Sequence, residues 1–306
     1  EIRTLGREAA ETALRHATYL SSPGATADGT PVAVHVNIAD LAELDVLGPA
    51  SCDGIGLVRT ELLFGTGALP DEDRQAAAYR RIAEWASGKP VTIRTLDAGG
   101  DKPIPGLTEE GETNPFLGLR GLRLTLEHPD LFRTQLRALA RAAAHGRVEI
   151  MVPMVTVPEE LRAARALLDE AIASLAAEGL AHGRPPLGMM VEVPAAAIAI
   201  DLFDADFFSI GSNDLTQYVT AAGRDMEAVA SLADPAHPAV LRLIAQVAAH
   251  GARIGRKVSL CGDAAADPRL LPLLLAQGLR SLSVAPPFLA ATKAAIASVD
   301  LKARQP

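Results

Sequence analysis

The stretch at 148–193, VEIMVPMVTVPEELRAARALLDEAIASLAAEGLAHGRPPLGMMVEV, decides the fold. It opens on a short aliphatic run, 148–153, and closes on another, 187–193. Between them, 158–178 is rich in alanine, leucine and glutamate and starts at Pro158. Proline is well suited to a first helical turn, where the missing N–H costs nothing. Two apolar strands joined by an amphipathic helix predict a βαβ unit with parallel pairing.

The same rhythm extends in both directions. Further strands are predicted at 32–38, 55–61, 91–97, 207–212, 258–261 and 281–285, and further helices at 71–86, 129–145, 238–250, 268–277 and 289–298. Eight strands alternating with helices predict an α/β fold, a (β/α)8 TIM barrel, ahead of an open doubly wound sheet. Residues 3–20 carry apolar side chains at helical spacing and predict an N-terminal lead-in helix, stopped by Ser21-Ser22-Pro23-Gly24. The expected division is therefore 1–30 as helix and linker and 31–306 as the barrel. His145-Gly146 and His250-Gly251 read as helix ends, with His145, His182 and His250 as caps. One segment, 99–120, breaks the rhythm, and a loop of that length in a compact domain is usually functional or disordered.

Composition narrows the function. Of 306 residues 49% are apolar but only 4% aromatic, so the core is aliphatic. The formal net charge of -8 excludes the usual nucleic-acid binder. Two cysteines, Cys52 and Cys261, make no disulfide framework and suit a reducing cytoplasm. No apolar run reaches the ~18 residues of a membrane span, and no signal peptide opens the chain. The chain begins at Glu1 rather than methionine, which reads as a domain cut from a longer protein.

A barrel places its chemistry at the carboxyl ends of its strands, and polar residues gather there. The ends read Arg59-Thr60-Glu61, Arg94-Thr95-Leu96-Asp97, Glu192-Val193-Pro194, Ser212-Asn213-Asp214 and Cys261-Gly262-Asp263. Arg59 and Arg94 offer planar forks for a phosphate or carboxylate, though an arginine there also serves as a surface ion pair. Glu192 and Asp214 supply hard oxygens suited to Mg2+, and a buried Glu192 is equally served by an arginine. Cys261 reads as a small buried hydrophobe or as a reactive thiol, and Cys52 as structural. The set suits a small polyanion whose charge migrates during phosphoryl transfer.

At these motifs the chain resembles Enzyme I of the bacterial phosphoenolpyruvate:sugar phosphotransferase system. The resemblance is carried by Gly54 to Phe64 (GIGLVRTELLF), Arg94 to Lys102 (RTLDAGGDK), Asn114 to Arg120 (NPFLGLR), Met190 to Ala197 (MVEVPAAA) and Asp206 to Tyr218 (DFFSIGSNDLTQY). It implies a phosphoenolpyruvate-binding barrel that uses Mg2+ and forms a homodimer in the cytoplasm. Carried over by position, Glu192 and Asp214 become metal ligands and Cys261 the general acid/base. Arg59, Arg94, Arg120 and Arg224 fall on arginines around the phosphate and carboxylate, Asn213 on a phosphate contact, and Lys102 on the motif lysine.

The family's phosphoacceptor is a histidine in a Gly-rich Thr/Ser-His context on a separate domain. His16, His35, His128, His145, His182, His237 and His250 all lie outside such a context. The resemblance thus implies two protein partners, a phosphohistidine domain and, beyond it, the histidine phosphocarrier protein. Two positions depart from the family pattern: Gly223 precedes Arg224 where an acidic residue is usual, and Asp263 replaces glutamate. The alternatives are the related barrel of a phosphoenolpyruvate synthase or pyruvate phosphate dikinase, and a non-catalytic paralogue that senses phosphoenolpyruvate. Glu192, Asp214 and Cys261 together favour an enzyme.

Overall fold

The computed structural model describes residues 16–61, 70–100, 102–108, 111–223 and 226–304. Eight parallel strands close into a barrel in chain order. They are β1 (Ala33–Ile38), β2 (Ile55–Arg59), β3 (Val91–Arg94), β4 (Val148–Val152), β5 (Leu187–Val191), β6 (Phe208–Gly211), β7 (Val258–Cys261) and β8 (Ser281–Val284). Closure runs through β1 and β8, with Ala33 opposite Ser281 and Val36 opposite Val284. β2, β3, β5 and β6 stop one to three residues short of the expected carboxyl ends, because the polar residues there leave the ladder and turn over the rim, whereas β1 and β7 end where expected.

The helices in chain order are α1 (Glu43–Val46), α2 (Glu72–Trp85), α3 (Leu122–Glu127), α4 (Pro129–Ala142), α5 (Pro158–Ala177), α6 (Pro194–Ile198), α7 (Ser212–Thr220), α8 (Pro238–Ile254), α9 (Leu271–Ala276) and α10 (Leu289–Ala297). Proline occupies the first turn of α4, α5 and α8, as the sequence predicts, and also that of α6. Asp71 caps α2 by accepting from the Arg74 amide at 2.8 Å. The short helices α1, α3, α6 and α7 are too brief for a periodic apolar pattern to reveal them. Of the lead-in helix only the end at residue 16 and beyond is described; the rest of 3–20 lies outside the described residues. Its exit is pinned to the barrel by Lys293, whose ammonium donates to the carbonyls of Leu20, Ser22 and Ser51.

One expected helix end is corrected. α8 runs through His250-Gly251 to Ile254 and ends at Gly255, whose φ of 68° makes the left-handed cap. A Cβ at Gly251 would come within 2.2 Å of Val258, so that glycine serves the close approach of helix to β7. His250 is buried, edge-on to Phe208 with ring centroids 5.7 Å apart, and caps nothing.

The main core lies between sheet and helices and is aliphatic, with Tyr79, Phe132, Phe203 and Phe208 as its aromatic members. Inside the barrel a smaller cluster of Leu57, Met151, Met190, Phe207 and Cys261 forms a plug. That plug is the floor on which the polar rim stands.

Candidate active site

Above the plug, a cavity of about 310 Å3 opens between the carboxyl ends of the strands. Arg59, Arg94, Lys102, Glu192, Asn213, Asp214 and Cys261 all line it, with Asp263 beside Asn213. Seven residues named from sequence thus meet in one place. Its volume suits a small ligand, at the low end for binding pockets.

The local sequence explains each placement. β2 and β3 end in register at Arg59 opposite Arg94, so two arginines stand side by side. Lys102 is brought back over the rim by a tight turn in which the Gly99 and Lys102 backbones bond each other both ways. β6 passes directly into α7, which sets Asn213 and Asp214 in its first turn. Gly262, with φ of 103°, turns the chain after Cys261, and any side chain there would meet Ser212 Oγ at 2.3 Å. Asn213 and Asp263 then bond reciprocally: Asn213 Nδ2 donates to Asp263 Oδ2 at 3.1 Å, and the Asp263 amide donates to Asn213 Oδ1 at 3.0 Å.

The cations are held by carboxylates that the sequence reading placed at strand ends but gave no role. Glu61 Oε1 accepts from Arg94 Nη2 at 2.5 Å and forms an ion pair with Lys102 Nζ at 3.1 Å. Asp97 Oδ2 accepts from Lys102 Nζ at 2.9 Å and forms an ion pair with Arg94 Nη1, also at 2.9 Å. Burial works against the Asp97 carboxylate, but Arg94, Arg120 and Lys102 outweigh it and hold the group well below the usual carboxylate range. Glu61 Oε2 and Arg94 Nε are buried and have no hydrogen-bond partner among the described residues.

Arg120 differs from the expectation of a substrate contact. Its side chain is 0% exposed, and its N–H groups are engaged by protein. Nε donates to Asp97 Oδ1 at 3.0 Å and Nη2 to Asp97 Oδ2 at 3.1 Å. Asp214 Oδ2 accepts from Nη2 at 3.0 Å, while Nη1 serves Asp214 Oδ1 at 3.2 Å and the Tyr218 hydroxyl at 3.3 Å. Five bonds exhaust the five donors of a guanidinium. Arg120 therefore joins Asp97 to Asp214 beneath the cavity. Arg224 lies outside the described residues.

Glu192 stands just past β5, and the Met154 amide donates to its Oε1 at 2.7 Å. Met154 adopts φ of 58°, a strained region for this residue type, and so offers that amide. Burial, then repulsion from Asp214 and Asp97, pushes the Glu192 carboxyl up to about 7. Cys261 is buried on the floor, and burial pushes its thiol up to about 11 although Arg94 pulls it down. Among the described residues no group of three or more His, Cys, Asp or Glu side chains is disposed to hold a metal alone. Two carboxylates that repel each other still fit a hard divalent cation that takes its other oxygens from substrate and water.

With this geometry in place, similarity to known proteins is informative. Residues 14–301 match the family described as PEP-utilising enzyme, PEP-binding domain. The chain belongs to that family. The chain is 48% identical to the phosphoenolpyruvate-protein phosphotransferase of Bacillus sp. (strain S), over 85% of this chain and 46% of that protein. The phosphotransferase of Streptococcus equinus is 40% identical over 98% of this chain and 53% of that protein. A multiphosphoryl transfer protein of Rhodobacter capsulatus is 47% identical over 89% of this chain and 33% of its own length. The chain thus spans about half the length, or less, of the curated relatives it matches. Among solved structures, a citrate lyase from Burkholderia xenovorans LB400 shares the fold alone, with a TM-score of 0.52 at 19% identity over 87% of this chain and 77% of that one. Among the described residues no helix is long and apolar enough to cross a membrane.

Proposed function

We propose that this PEP-binding domain is the catalytic half of an Enzyme I, which takes the phosphoryl group from phosphoenolpyruvate for a histidine on a domain outside this chain. The observation that carries the reading is the single cavity in which Arg59, Arg94 and Lys102 stand beside Glu192, Asp214 and the Cys261 thiol. The relatives named phosphoenolpyruvate-protein phosphotransferase support it.

Charge supports a metal. Glu61, Asp97, Glu192, Asp214 and Asp263 face Arg59, Arg94, Lys102 and Arg120, so with Glu192 ionised, as a bound cation would make it, carboxylates outnumber the described cations by one. A polyanionic substrate needs further positive charge there. Glu192 and Asp214 would hold Mg2+, which supplies charge neutralisation to the phosphoryl group and the enolate oxygen.

Arg59, Arg94 and Lys102 bind the substrate's anionic groups, and Asn213, its amide fixed by Asp263, offers its remaining N–H. On transfer the bridging P–O bond breaks, its electron pair stays on the enolate oxygen, and phosphorus bonds to the acceptor imidazole. Carbon three of the enolate then takes the proton from Cys261 Sγ, and the carbonyl re-forms. A thiol with its pKa raised is protonated at neutral pH, as a proton donor must be. The thiolate left behind faces Arg94. On the same reading the domain works as a homodimer in the cytoplasm, and its acceptor domain serves the histidine phosphocarrier protein.

Supplied with Mg2+, phosphoenolpyruvate and the histidine domain of a related Enzyme I, the chain should release pyruvate as that histidine is phosphorylated. Phosphorylation that proceeds equally in Cys261→Ala, with pyruvate released at the parent rate, contradicts the role given to the thiol.

A further inference from the structure

Between the cavity and the outer helices runs a chain of buried polar side chains that the proposed chemistry does not use. Thr60, Gln75, Tyr79 and Gln135 are each at most 1% exposed. Gln75 Nε2 donates to the Pro70 carbonyl at 2.8 Å, and the Tyr79 hydroxyl donates to Gln75 Oε1 at 3.2 Å. Gln135 Nε2 donates to the Tyr79 oxygen at 3.1 Å and to Thr60 Oγ1 at 3.2 Å. Thr60 in turn donates to the Arg94 carbonyl at 2.9 Å, and the Leu96 amide donates to Gln135 Oε1 at 3.0 Å.

Stability alone is a poor reason for such a chain. Apolar groups of the same shape in place of a buried bonded pair can be nearly neutral or better, and a satisfied buried polar network rigidifies its surroundings and specifies one arrangement. The places where the chain ends point to what is being specified. The last paired residues of β2 and β3 are Arg59 and Arg94. Past that pair the two strands part, and each still has to place a carboxylate: Glu61 on one arm and Asp97 on the other. The Thr60 hydroxyl adds a cross-strand bond beyond the ladder on one side. From α4, Gln135 reaches both arms at once, taking the Leu96 amide on one and Thr60 on the other.

We propose that Thr60 and Gln135 are positioning residues that fix the Arg59–Glu61 arm against the Arg94–Asp97 arm and so set the spacing of the cations that meet the substrate. The inference rests on the substrate site proposed above. Neither side chain touches the cavity; both act through the backbone of the arms. A misplacement of about 1 Å at such groups is enough to cost on the order of a hundredfold in activity.

The test compares Thr60→Val, which keeps the shape and loses the hydroxyl, with Thr60→Ser, which keeps the hydroxyl, and with Gln135→Met. Calorimetric titration of phosphoenolpyruvate at saturating Mg2+ is expected to show Kd raised about tenfold or more in Thr60→Val and Gln135→Met. Thr60→Ser should stay within about threefold of the parent, and the double variant Thr60→Val/Gln135→Met should be no weaker than the worse single, since both break one device. Hydrogen exchange reads the clamp without substrate: the Leu96 amide should exchange about tenfold faster or more in Gln135→Met, with the Ile93 amide unchanged. Thr60→Val binding like the parent, Thr60→Ser failing like Thr60→Val, or an unaltered Leu96 amide would each overturn the proposal. A parent chain that binds no phosphoenolpyruvate contradicts the substrate reading instead, and the exchange measurement still decides the clamp.

Discussion

At the carboxyl ends of the strands, charges share partners: Glu61, Arg94, Asp97, Arg120 and Asp214 alternate in sign from β2 to β6, with Lys102 bridging the first two carboxylates. At the amino ends they stand in smaller groups. Lys257 pairs with Glu149 at 2.5 Å, Arg165 with Asp206 at 3.2 Å and Arg184 with Asp169 at 2.7 Å. Asp97 and Arg120 are 0% exposed, whereas Arg184 and Asp169 are 66% and 49% exposed. Both ends thus hold oppositely charged side chains at bonding distance, yet only one of them keeps its charge out of water. Burying charge is expensive and breaks even only when each group is paired. The carboxyl end bears that cost and keeps two atoms of charged groups, Glu61 Oε2 and Arg94 Nε, without a hydrogen-bond partner among the described residues. The difference teaches where the molecule gives up stability to hold a site ready.

Breaking the hub should therefore have the largest effect. Asp97→Asn strips a shared counter-charge from Arg94, Lys102 and Arg120, and a loss of about 3–5 kcal/mol in urea unfolding is expected. A loss below about 1 kcal/mol would show the network to be ornamental. In the parent, the carboxyl of Asp97 is held low, so its contribution is present above its unfolded pKa of about 4 and fades only as the pH falls below that.

The thiol on the cavity floor sharpens the contrast by rate. With its pKa near 11, Cys261 is about one part in a thousand thiolate at pH 8. Iodoacetamide should label its peptide at least about tenfold more slowly in the folded chain than in the unfolded one, and the rate should climb as pH rises toward 11. Labelling at pH 7 as fast as in the unfolded chain would contradict a protonated, buried donor.

The amino end supplies the smallest effect. Asp169→Asn removes an exposed pair, and a change within about 1 kcal/mol is expected. A larger loss would erase the difference between the two ends.

Much of this was legible in the sequence, and the reasons are specific. The strands follow from aliphatic runs between amphipathic stretches, and the rim follows from polar residues placed where each run stops. That Arg59, Arg94, Glu192, Asn213, Asp214 and Cys261 gather at one rim was legible because each sits at the end of a strand it could be counted from. What a strand pattern cannot carry is convergence over long chain distances. Tyr218 meets Arg120 from 98 residues away, and Gln135 meets Thr60 from 75. Glu61 and Asp97 were visible as strand-end carboxylates, but their role depends on which cations arrive beside them. The Met154 amide that holds Glu192 is backbone, and β4 offers no polar side chain at its end to announce it. His250-Gly251 misled because a glycine needed for close packing has the same letter as one that ends a helix.

On the proposed reading the cavity is a site for phosphoenolpyruvate completed by a divalent cation. Calorimetric titration of phosphoenolpyruvate into the 306-residue chain, with and without Mg2+, tests it most directly. The account predicts saturable one-site binding with Mg2+ and binding weaker by at least about tenfold without it, since charge in the described site is otherwise on the wrong side of balance. No heat of binding at saturating Mg2+, or the same affinity with the cation and without it, would contradict the account.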